Sequence, residues 1–342
     1  MRLRLLLAIL LLFAVLYPSR GRAELWVLRD RPYFDPVVAD PRAAMIKVLF
    51  PAWSKSFPFA QRPGDFRLVW DISVGKEIPI VGYESHLNKA GALVPGSFGV
   101  GLWFPIGFHL IEDFKDDSAP PIDTDYRFAP LGLKAQYAFA QMPGAGAWRL
   151  GLRFFLGHES THLGDEFTIH ARALYPSFER INVSYQWADV TLGLERDGTG
   201  LQAVWSWKLQ AGAQVVVLSG NNSYYSTDPL ETGGAYVAPS HNRTEPYASF
   251  EVQRMPTLLP SWGLFLAVDA RLRNVYNYDK VDPAQSEDRQ PSFNVMIGTR
   301  PAVPDWISPD FYLRGYYGVN PAGQFRNQRD YWLFGVGFLF HP

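Results

Sequence analysis

The stretch FGVGLWFPIGFHL, residues 98–110, decides the fold class. Phe98, Val100, Leu102, Phe104, Ile106, Phe108 and Leu110 take every second position, and Gly99, Gly101, Trp103, Pro105, Gly107 and His109 stand between them. Successive side chains of a strand point to opposite faces, so one face of this segment is wholly apolar. Soluble antiparallel strands are usually about five or six residues long. A strand that crosses a membrane needs about 9–11, with lipid on one side and a polar interior on the other. The segment predicts a membrane strand.

Outward from it the pattern repeats. Leu201, Ala203, Trp205, Trp207, Leu209, Ala211 and Ala213 alternate with Gln202, Val204, Ser206, Lys208, Gln210 and Gly212. Trp332, Phe334, Val336, Phe338 and Phe340 alternate with Leu333, Gly335, Gly337 and Leu339 at the C-terminus. Further strands are expected near 66–75, 125–139, 148–160, 179–195, 246–254, 262–275, 290–300 and 310–319, with a weaker signal at 44–52. Short connections (140–147, 196–200, 255–261, 301–309) alternate with long ones (161–178, 217–245, 276–289, 320–329), as periplasmic turns alternate with external loops. The expected fold is all-β: a single antiparallel transmembrane β-barrel of about twelve strands, in a range of roughly 10–14.

The N-terminus sets the compartment. Arg2 and Arg4 precede an apolar run from Leu5 to Tyr17; Pro18 ends it, and Gly21 and Ala23 supply small residues at a cleavage position. This predicts a signal peptide over 1–23, followed by an N-terminal lead-in or plug at 24–65 and the barrel at 66–342. The expected location is a bacterial outer membrane. The chain has no cysteine, so no disulfide framework is open to it. Its 11 Trp, 17 Tyr and 24 Phe suit a lipid-facing surface, and a net charge of −1 makes nucleic acid no partner.

Gly335, Phe338 and Phe340 resemble the C-terminal assembly signal of outer-membrane barrels, although His341 and Pro342 follow where an aromatic usually ends the chain. That resemblance implies the barrel-assembly machinery as a partner. Five further segments, Ala39–Arg42, Asp125–Arg127, His158–Phe167, Glu179–Tyr185 and Asn320–Phe325, resemble an uncharacterised bacterial outer-membrane β-barrel family, catalogued as a domain of unknown function. It implies a barrel and no particular activity.

Chemistry is sought first in the 148–160 segment. Trp148, Leu150, Leu152, Phe154 and Leu156 share one parity, and His158, Ser160 and His162 inherit it, so a His-x-Ser pair faces outer-membrane lipid. This pair resembles the site of outer-membrane phospholipase A and the lipid A deacylases, with Glu179 as a ring-orienting third group. The resemblance implies a lipid acyl hydrolase with Ser160 as nucleophile and His158 as base, and calcium as a cofactor. Those enzymes keep an Asn near the serine, where Thr161 stands here. The alternative is a polar strand cap with no chemistry. A metal could be held by His162, Asp165 and Glu166, joined by His158 only if the strand bends, because positions i and i+4 lie about 13 Å apart. An ordinary loop entrance explains the same residues.

The opposite parity places Asp71, Lys134, Arg149, Arg153, Glu195, Lys208, Asp269, Arg271, Arg273, Arg300 and Arg314 in the interior. They could line a narrow anion-preferring pore or form a sealed interior of paired charges. A structural or docking role without chemistry is the remaining alternative.

Overall fold

Tyr331–Phe340 forms the last strand, β14, and shows how the sheet is built: its residues alternate strictly between buried and exposed. Tyr331, Leu333 and Leu339 are buried, whereas Trp332, Phe334, Val336, Phe338 and Phe340 are exposed. The computed structural model describes residues 23–27, 36–41, 43, 45–54, 67–85, 97–113, 122–128, 132–142, 148–160, 184–196, 205–219, 243–254, 262–276, 287–301, 310–321 and 329–340, with few side chains between 67 and 142. These hold fourteen strands: β1 Ala23–Val27, β2 Met45–Ser54, β3 Arg67–Ser85, β4 Ser97–Asp113, β5 Ile122–Phe128, β6 Gly132–Met142, β7 Trp148–Ser160, β8 Ser184–Arg196, β9 Trp205–Ser219, β10 Thr244–Arg254, β11 Trp262–Tyr276, β12 Glu287–Pro301, β13 Asp310–Gly318 and β14.

From β6 to β14 each strand pairs antiparallel with the next in sequence, and β14 then pairs with β2 and β2 with β3. β3 and β4 pair over most of their length. Each also carries two partners in line along its other side: β2 then β1 on β3, and β6 then β5 on β4.

The expected single closed barrel of about twelve strands is corrected here. The sheet counts fourteen strands and its order ends on β1 and β5. Among the described residues β1 pairs with β3 alone and β5 with β4 alone, so strand edges stay open where a closed barrel has none. The segment expected as one strand at 125–139 holds two, β5 ending at Phe128 and β6 starting at Gly132. The last pair of β14 with β2 is Phe340 opposite Ile46.

Other boundaries also move. The weak signal at 44–52 is a full strand, β2, and β3 runs on to Ser85, well past the expected end at Gly75. In β2 the residues Phe50 and Pro51 bulge, so that register shifts against both β14 and β3; a proline in a strand favours such a place because it cannot donate to the ladder. The signal-peptide region before Ala23 lies outside the described residues.

Candidate functional site

Sidedness is inverted along the described strands. Leu152, Val190, Leu192, Trp205, Leu209, Phe250, Leu264, Phe293, Ile297, Phe311 and Leu313 are exposed. Charged and polar groups on the opposite parity of the same strands are buried, among them Arg153, Asp189, Glu195, Gln210, Glu251, Asp269, Arg271, Asn294 and Arg314. A water-soluble sheet buries its apolar rows and exposes its charges; this one does the reverse.

Burying a charge is costly unless it is paired and hydrogen-bonded, and the inner face supplies partners across strands. Arg153 on β7 donates through Nη2 to Thr191 Oγ1 on β8 at 3.1 Å. The Thr191 hydroxyl donates to Asp189 Oδ1 at 2.7 Å, and the Tyr247 hydroxyl on β10 donates to the same oxygen at 2.9 Å. The Arg271 guanidinium on β11 lies 4.4 Å from the Tyr247 ring centroid, a cation–π contact. It also grips Asp269 with two donors, Nε to Oδ1 at 2.6 Å and Nη2 to Oδ2 at 3.1 Å. Ser249 donates to Asp269 Oδ2 at 2.6 Å. Further round, Arg314 Nε donates to Asn294 Oδ1 at 2.9 Å, and Arg300 pairs with Asp310 at 2.9 Å. Arg271 and Arg300 thus meet carboxylates, and Arg153 and Arg314 meet neutral acceptors.

One non-strand segment reaches this belt. Residues 37–41, with Ala43, form a turn, in which Asp40 N donates to Val37 O at 2.9 Å and Ala43 N to Asp40 O at 3.1 Å. Asp40 Oδ2 meets Arg271 Nη2 at 2.9 Å, with both side chains almost fully buried. Val38 N donates to Glu251 Oε2 at 2.6 Å, and Asn294 Nδ2 donates to Ala39 O at 2.6 Å.

The sequence-predicted site fares differently. His158 and Ser160 lie at the C-terminal end of β7, where their backbones pair with Gln186 and Ser184. That register runs unshifted from Trp148 to Ser160, so no bulge at Gly157 interrupts the pairing with β8. Gly157 is closed down by Trp187, whose ring carbon would lie 2.6 Å from an added Cβ. The side chains of His158 and Ser160, and all of Glu179, His162, Asp165 and Glu166, lie outside the described residues. Among the described residues no group of three or more His, Cys, Asp or Glu could hold a metal.

Of the interior set read from parity, Arg153, Glu195, Asp269, Arg271, Arg273 and Arg314 are buried. Lys208 and Arg300 stay partly exposed, with side-chain exposures of 31% and 21%. Sequence reasoning did not single out Tyr247, Ser249 and Glu251, although their every-second spacing in β10 is the signal that finds them. Nothing in spacing alone points to Asp40, which lies in a turn.

No protein-family model matches the chain, and no curated protein matches it. Among solved structures, the crystal structure of the β domain of the Bordetella autotransporter Brka is loosely similar, with 11% identity over 87% of this chain and 98% of that chain and a TM-score of 0.32. A likeness this distant carries no argument about what the chain does.

Proposed function

We propose that the chain is an integral protein of a bacterial outer membrane, holding its outward apolar rows against lipid and a packed polar face away from it. The observation that carries this is the inversion of sidedness. Exposed Phe, Leu, Ile and Trp line the outward rows of β7 to β14 while arginines and carboxylates of the same strands are buried. An apolar surface of this extent in water would drive association; in lipid it is the ordinary state of a membrane sheet. Pairing of the inner arginines favours a packed interior over the narrow anion-preferring pore. Assembly machinery would act through β14. After separation of a cell envelope the protein is expected in the outer-membrane fraction, resisting alkaline carbonate extraction. Recovery in the soluble periplasmic fraction without detergent would overturn the reading.

A second reading is a lipid acyl hydrolase, and the unshifted β7–β8 register favours it. Positions i and i+2 on a strand lie about 7 Å apart at Cα, within reach of each other's side chains on one face. The His158 imidazole would take the Ser160 proton and Glu179 would orient the ring. Purified protein in mixed phospholipid or lipopolysaccharide micelles with calcium is then expected to release fatty acid. Ser160→Ala and His158→Asn should each abolish release, and Glu179→Ala should slow it less. Release that survives Ser160→Ala would place the activity elsewhere, and no release from any lipid leaves the polar strand cap.

A further inference from the structure

The turn at 37–41, with Ala43, is buried more completely than most of the strands it touches. Val37, Ala39 and Asp40 have 0% exposure, Ala43 2% and Val38 4%. Its apolar side chains cluster with Phe265, Ala267, Met296 and Tyr312 from β11, β12 and β13. Yet it joins no strand ladder. Among the ties that fasten it are Glu251 to the Val38 amide, Asn294 to the Ala39 carbonyl, and Arg271 to the Asp40 carboxylate.

These ties are not equivalent. Arg271 already holds Asp269 with two donors, so the guanidinium keeps a full carboxylate partner if Asp40 leaves. For the strands Asp40 is therefore a second partner, whereas for the turn the Arg271 contact offsets part of the cost of burying the Asp40 carboxylate. A segment fastened by side chains and outside every ladder can open without the sheet opening.

We infer that residues 37–41, with Ala43, are a closure strap, held by Asp40 on Arg271, that keeps solvent and solutes off the inner face and can be released with the sheet intact. Releasing it uncovers the Glu251, Asn294 and Arg271 groups and the apolar patch around Met296.

The chain has no cysteine, so Ala39→Cys installs a single reporter thiol. In the folded protein in detergent it is expected to react with a water-soluble maleimide at least about 100-fold more slowly than in the same variant unfolded in urea. Adding Asp40→Asn should raise the folded-state rate at least about tenfold, since the strap loses its ion pair. Tryptophan fluorescence and protease resistance of the sheet should stay unchanged. Val38→Cys serves as the reporter if Ala39→Cys does not fold. A folded-state rate equal to the rate in urea, or no acceleration by Asp40→Asn, would overturn the strap. Labelling is read on folded protein in detergent and stands or falls independently of the lipid and hydrolase readings.

Discussion

Gly337 shows how closely single residues are held where β14 meets β2. A Cβ added there would run into the Val48 carbonyl oxygen and come 3.1 Å from Leu49 Cα, both backbone atoms that cannot swing aside. Gly315 on neighbouring β13 has nothing within 4 Å of the same construction. Gly337→Ala is therefore expected to cost about 1–3 kcal/mol through overpacking, and Gly315→Ala to stay within about 0.5 kcal/mol of the parent. Urea unfolding of the refolded protein, followed by tryptophan fluorescence, checks the pair; equal effects would mean that the β14–β2 contact is looser than it looks. Both glycines are plain in the sequence as members of an alternating strand. Which of them is pressed against a neighbour is not, because that depends on the partner strand and its bulge.

At the scale of elements, alternation locates β7 to β14 well and the early strands less well, for physical reasons that the residues show. The run at 125–139 changes parity around Pro130, with Tyr126 and Phe128 on even positions and Leu133, Ala135, Tyr137 and Phe139 on odd ones, and it holds two strands, β5 and β6. β2 gives a weak signal because Phe50 and Pro51 break its period at the bulge. β14 is the most regular element, and Phe340 closes its outward row with 41% exposure. A charge on the lipid face costs little near the interface and about 2–4 kcal/mol for Arg or Lys at the midplane. Phe340 sits at the strand end, so Phe340→Asp separates two roles of this residue. The amount of folded protein in the outer membrane should fall at least severalfold, while the unfolding midpoint of protein refolded in detergent should move little. A large fall in both would make Phe340 a packing residue and remove the assembly reading.

Across the whole molecule, parity assigns the inner face in advance wherever the period holds, and Arg153, Asp269, Arg271 and Arg314 are buried as their positions require. Their partners are less legible. Arg153 meets Thr191 across β7 and β8, Tyr247 reaches Asp189 from β10, and Asp40 arrives from outside the sheet. Contacts between strands far apart in sequence follow from registers that no local pattern states. The β14–β2 pairing has a further consequence, for the time course of folding. It joins strands from the two ends of the chain, and contacts of such separation form slowly because the intervening chain must be ordered before they contribute. Until β14 is in place, β2 and β13 each lack a neighbour, and an unpaired strand recruits other chains. The seam is thus expected to form late, and the interval before it is when an escort would serve the protein most.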